Sequence, residues 1–140
     1  MANETEYSAI IKALWVNSAI FSKQLDNSLG AIHGIGLTEY MVLLNLSQAP
    51  NKELRRIDIA EALARTASGI TRMLMPMEKI GLVAKASSAR DARVSLVKLT
   101  AAGERLFVDA TITLEEKSKK LLKNLDGKNA THLLSLLDAL

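Results

Sequence analysis

The 140 residues, 49% apolar and 24% charged, suit one compact domain and argue against a disordered chain, while no apolar run approaches the roughly 20 residues that span a bilayer. The absence of cysteine excludes a disulfide framework, a thiolate metal site and redox sensing through thiols. The net charge of +3 is unevenly placed: Arg55 to Lys98 carries nine basic residues against Asp58, Glu61, Glu78 and Asp91, a local balance of +5 that leaves about −2 for the rest. An anionic partner is therefore expected to bind the middle of the chain.

From Tyr7 the apolar residues Ile11, Leu14, Phe21, Leu25 and Ile32 recur at helical spacing, predicting one long helix that fails around Gly30, Gly34 and Gly36. Thr38 is the expected N-cap of a second helix through about Ser47, and Pro50 and Asn51 mark a loop. A short third helix fits Ile57 to Leu63. After a break at Ala64 to Thr66, a fourth helix runs to about Ile80, with Gly81 as the residue that ends it. The pattern then becomes extended over Leu82 to Lys85 and Val94 to Leu99, predicting a β-hairpin with the basic tip SSARDAR. Thr100 can cap a fifth helix bearing Leu106, Leu114, Leu121 and Leu122. Asp126 and Gly127 separate a sixth, whose Leu133, Leu134, Leu136, Leu137 and Leu140 exceed what one face of a small domain can use.

Ile57 to Thr100 is the stretch that points to a function: short helix, tight turn, longer helix, hairpin. In a helix-turn-helix the second helix enters the major groove, which is wide enough for a helix with its side chains. The fourth helix divides as that task requires. Ile70, Leu74 and Met77 recur at i, i+4 and i+7 as a buried stripe, while Ser68, Thr71, Arg72, Met75 and Lys79 point away from it. Small Ala67, Ser68 and Gly69 stand at its start, where close approach to DNA is needed. The same pattern describes an amphipathic surface helix with a solvated side, and the charged tip alone describes an ordinary β-turn. Arg90 and Arg93 on that tip suit a narrow minor groove and its phosphates. Asp91 would repel a phosphate, and instead suits a hydrogen-bonding role that braces the loop and orients an arginine. Pro76 inside the fourth helix removes a hydrogen bond to the carbonyl of Arg72 and is expected to bend or loosen the axis.

The run IAEALARTASGITRMLMPMEKIGLV followed by RDARVSLVKLTAAGERL resembles the MarR family of transcriptional regulators. The resemblance is carried by the helix ITRMLMPMEKIGLV, by Asp91 and Arg93 as D-x-R, and by VKLTAAG from Val97 to Gly103. It implies a mainly α fold with a small β-hairpin wing: a winged helix-turn-helix over residues 37–100 and dimerisation helices over 1–36 and 101–140. It also implies a homodimer on the two half-sites of a pseudo-palindromic duplex DNA operator, with Ser68, Gly69, Thr71 and Arg72 at the major groove and Arg93 in the minor groove. Many members carry an arginine directly after the wing aspartate; Ala92 stands there and Arg90 precedes it. Members commonly sense small aromatic or phenolic effectors, and Trp15, His33, Tyr40 and Phe107 are the candidate pocket residues. The same four side chains also suit the core and the dimer interface.

Catalysis needs a nucleophile with a base, a carboxylate pair or a metal site, and none assembles from the sequence. His33 and His132 each lack a histidine or cysteine at ligand spacing, so no metal or cofactor is expected, and His33 suits a helix end or a pocket. The N-terminal MANETEYSAI lacks the features of a secretory signal, which makes the cytoplasm the expected location. The expected function is a regulator, a repressor relieved by a small ligand. The alternative is a winged-helix protein-interaction module without operator binding, against which the basic centre argues.

Overall fold

The computed structural model describes residues 4–140, and side chains from Glu6 onward. Helix α1 spans Glu4–His33, beginning before Tyr7 and running through Gly30. It stops at Gly34, whose φ of +71° turns the chain. Helix α2 spans Leu37–Gln48. Its N-cap is Gly36 rather than Thr38, because two carboxylates satisfy the first amides. Glu39 Oε2 accepts from the Gly36 amide at 3.1 Å, and Asp26 Oδ1 of α1 accepts from that of Leu37 at 2.7 Å.

After a tight 3₁₀ turn over Pro50–Lys52, strand β1 covers Glu53–Leu54, an element the sequence pattern does not reveal. Helices α3 (Arg56–Ala62) and α4 (Ala67–Lys79) follow. Both end alike. Past α3, the amides of Ala64 and Arg65 reach the carbonyls of Glu61 and Ala60; past α4, those of Gly81 and Leu82 reach Glu78 and Met77. Each end is a Schellman motif with a left-handed residue, Gly81 at φ +83° and Ala64 at φ +51°. Only the glycine adopts that conformation without steric cost. Pro76 lies inside α4, which continues past it to Lys79. Pro76 and Arg72 are both exposed, so the carbonyl freed by proline lies on the solvent side of the helix, where water can bond it.

Strands β2 (Val83–Ser87) and β3 (Ser95–Leu99) form the expected hairpin, and β1 pairs with the far edge of β3, giving an antiparallel sheet of order β1-β3-β2. Val83 opposes Leu99 and Ser87 opposes Ser95 in one register, and Glu53 opposes Lys98 in the other. Helix α5 spans Ala101–Leu121 and α6 spans Gly127–Asp138.

The core is built by α2, α3, α4 and the sheet, with Leu29 from α1 and Ala110 from α5 closing it. Val42, Leu43, Leu46, Ile59 and Ile70 are fully buried, each contributing about 1.5–3 kcal/mol by removal from water. No single helix among the described residues is long and apolar enough to cross a membrane.

Candidate nucleic-acid interface

Helix α4 is set by its two ends and one stripe. Thr66 caps it, its Oγ1 accepting from the Gly69 amide at 3.0 Å. The stripe Ile70, Leu74 and Met77 is buried against the core. That fixes the opposite face, on which Ser68, Arg72, Met75 and Lys79 are exposed and Thr71 is half-exposed. The Thr71 hydroxyl donates to the Ala67 carbonyl at 3.1 Å, and Gly69 lies in the first turn beside the capping threonine. Arg72 and Lys79 have no carboxylate within ion-pair distance among the described residues. The same holds for Arg65, exposed in the turn before α4. Sequence reasoning passed over Arg65 as part of a break, although a cation one residue before a helix N-cap was readable.

The wing tip is ordered by two polar side chains. Ser88 Oγ accepts from the amides of Arg90 and Asp91 at 3.2 and 3.4 Å. Asp91 Oδ1 accepts from the Arg93 amide at 3.0 Å, and the two carboxylate oxygens take Nε and a terminal nitrogen of the Arg93 guanidinium, each at 3.1 Å. The hydrogen bonds from Arg93 hold the Asp91 carboxyl below the usual aspartate range. The pair forms on a side chain that stays 91% exposed, so the guanidinium is oriented without being hidden. Arg90 is exposed with no side-chain partner among the described residues. At the other end of the domain Arg55 is tied to Asp58 at 2.9 Å, which holds Asp58 low as well.

The wing is fastened to α5 at its base. Thr100 Oγ1 accepts from the Gly103 amide at 3.0 Å and donates to the Gly81 carbonyl at 2.6 Å. A Cβ on Gly103 would lie 2.1 Å from the Leu82 carbonyl oxygen, so only glycine lets α5 start this close to β2. The TAAG stretch is thus a joint between wing and helix. Ion pairs Lys52–Glu104 and Glu53–Lys98 brace the same corner.

The candidate pocket residues divide. Tyr40 and Phe107 stack with ring centroids 5.3 Å apart. The Tyr40 hydroxyl meets Thr111 Oγ1 at 2.8 Å, and His33 Nε2 meets Thr113 Oγ1 at 2.7 Å. Tyr40 and Phe107 thus close a seam between α2 and α5, while His33 joins α1 to α5 at Thr113, on a different side of α5 from Thr111. Trp15 is 73% exposed on α1, more than four turns of helix before His33 and away from that seam. Among the described residues no three of His, Asp and Glu gather as a metal site.

Residues 35–95, from the start of α2 to the wing, match the MarR family. That stretch is a MarR family domain. It is 30% identical over 107 residues to the HTH-type transcriptional regulator PapX of Escherichia coli, an alignment that takes in 74% of this chain and 65% of PapX. The chain therefore spans just under two thirds of that relative. Its fold is that of Sco3205, a MarR family transcriptional regulator from Streptomyces coelicolor in complex with DNA, with TM-score 0.84 at 18% identity over 99% of this chain and 88% of that one. It is also that of a mutant MarR from Escherichia coli complexed with operator DNA, with TM-score 0.83 at 21% identity over 99% and 98% of the two chains. The winged helix-turn-helix with its flanking helices is thus a fold that both of these structures share.

Proposed function

We propose that this MarR family member is a sequence-specific, double-stranded DNA-binding transcriptional regulator, working in the cytoplasm as a homodimer on a pseudo-palindromic operator and carrying no catalytic centre. The observation that carries the reading is the wing. A fully exposed arginine fork held in place by its own aspartate, on the same domain as a capped helix with a polar outer face, is arranged to meet two features of one duplex. Ser68, Gly69, Thr71 and Arg72 take the major groove; Arg93 takes the minor groove, with Arg90 on neighbouring phosphates. Both like-folded proteins described above were captured on DNA.

The homodimer is supported by the helical ends. Ile10, Leu14, Phe21, Leu122, Leu133 and Leu137 line an open apolar groove of about 410 Å³ between α1 and α6, and no residue of α6 is buried within the chain. A second copy, with the same apolar ends, is the occupant whose chemistry matches. The chain acts as a repressor, relieved when a small aromatic or phenolic effector enters beside His33, Tyr40 and Phe107. These contacts tie α1 and α2 to α5, so a wedge there would shift the winged part against the helical ends.

The test is selection of fragments from the organism's own genomic DNA, followed by binding across a salt series. Specific retention of a pseudo-palindrome, with affinity falling steeply as salt rises, is expected. Arg93→Ala should weaken most duplexes and flatten the salt slope, whereas Arg72→Ala should relax preference at one position per half-site. Affinity for every duplex unchanged in both variants overturns the mechanism. No duplex binding by the wild type would favour a protein-interaction module instead.

A further inference from the structure

We propose that Met75 is a specificity residue that reads the 5-methyl group of a thymine in the major groove, once in each half-site. This rests on the DNA-binding reading of α4 given above. At 100° per residue, Met75 stands within about 20° of Ser68 around the helix axis, two turns further along, and between Arg72 and Lys79. It therefore lies on the outward side of the helix, about 50° from the line directly opposite the buried stripe of Ile70, Leu74 and Met77 and toward Thr71. Its side chain is 65% exposed. Met41 and Met73, by contrast, are half-buried against the core, and Met77 is buried within it.

An exposed apolar side chain on the otherwise polar and cationic outer side of α4 has nothing to gain from phosphate. The cations Arg72 at i−3 and Lys79 at i+4, before and after it along the axis and both to one side of it around the helix, supply the attraction to the backbone and leave Met75 to meet the base edges. In the major groove the apolar feature of a base pair is the thymine methyl, and it separates thymine from the other three bases. An unbranched thioether side chain adapts its rotamers to such a contact more readily than a branched one. The same placement explains why a residue that adds nothing to the core is apolar here: its partner is in the other molecule.

The experiment uses the full chain and the best operator from the genomic selection, with each thymine replaced in turn, symmetrically, by deoxyuridine, which lacks only the methyl. The wild type should lose about fourfold in affinity per half-site at one thymine, the worth of one buried methyl-sized group. Met75→Ala should bind the thymine and uracil duplexes equally at that position, should keep its preferences elsewhere, and should melt at the wild-type temperature. Met75→Leu should restore part of the discrimination. Met75→Ala retaining the wild-type thymine-to-uracil ratio at every position would overturn the proposal while leaving DNA binding intact, as would a wild type indifferent to all the replacements. A wild type that binds no duplex removes the DNA-binding reading itself, and this one with it.

Discussion

The winged part and the helical ends of this chain are finished to different degrees. Residues 37–99 supply almost all of the core, and the breaks between their elements are closed by named groups: Glu39 and Asp26 at α2, Thr66 at α4, the paired Schellman turns, and Thr100 at the joint to α5. From Glu6 the first half of α1, and all of α6, hold no buried residue, although Ile11, Trp15, Leu134 and Leu136 are as apolar as the core residues. One region folds on its own contacts; the other is complete as secondary structure and incomplete as packing. In a protein proposed to bind a two-fold DNA site, that is the division of labour expected, because the ends that fix the spacing of two reading heads are the ends that need a second copy.

The comparison is broken most severely at the groove. Replacing both Leu133→Asp and Leu137→Asp removes two leucines from the proposed interface, about 3–6 kcal/mol of burial, and should raise the dimer dissociation constant by more than a hundredfold. Sedimentation should show dimer for the wild type and monomer for the variant at micromolar concentration, and the wild-type melting temperature should rise with concentration. A wild type that is a stable folded monomer under these conditions would show that the helical ends need no partner.

Next in size is one chemical change made in each region. Gly103→Ala drives a methyl into the Leu82 carbonyl and should cost about 3 kcal/mol, since backbone on both sides of the joint must move. Gly127→Ala, at the start of α6, meets nothing within 4 Å and should be neutral or stabilise by about 0.5 kcal/mol. Denaturant titration of the two variants reads both values, and equal effects would mean that the wing joint is no tighter than the ends. A smaller gain is expected at the turn between α3 and α4, where Ala64 holds a positive φ. Ala64→Gly should stabilise by about 0.5–1 kcal/mol, the left-handed cost relieved less the extra freedom of the unfolded chain.

Where a structural feature is written locally, the sequence shows it. Ile70, Leu74 and Met77 reveal the face that α4 buries, and Gly81 its end; Thr100 reveals the cap of α5. Features set by distant residues stay hidden. Strand β1 is two residues long and exists because Lys98 and Val97, more than forty residues later, pair with it. The Gly36 cap depends on a carboxylate from α1. The aromatic candidates separate for the same reason: Tyr40 and Phe107 meet across 67 residues of chain, and nothing in the spacing of Trp15 could exclude it from their company.

The smallest expected effect concerns the wing tip, which holds no buried residue and still is fixed in shape. Asp91→Asn leaves the side chain in place and removes the charge that grips Arg93. The Asp91 carboxyl titrates below its ordinary value of about 3.9, so in the wild type the pair is fully formed above that pH and is lost as pH falls through the depressed folded value. From pH 8 down to pH 5 the wild-type Arg93 Nε–H resonance should therefore stay constant, and it should move only under more acidic conditions. The Asn variant should show the released position at every pH, with a melting temperature within about 1 °C of wild type because the pair is exposed. Operator affinity decides what the grip is for. Deleting a negative charge beside a phosphate backbone should by itself tighten binding; if the aspartate serves to aim the guanidinium, the loss of aim outweighs that gain and affinity falls about threefold. A variant that binds its operator more tightly than wild type would reduce Asp91 to a brake on the wing, and would place the order of that loop in Ser88 alone.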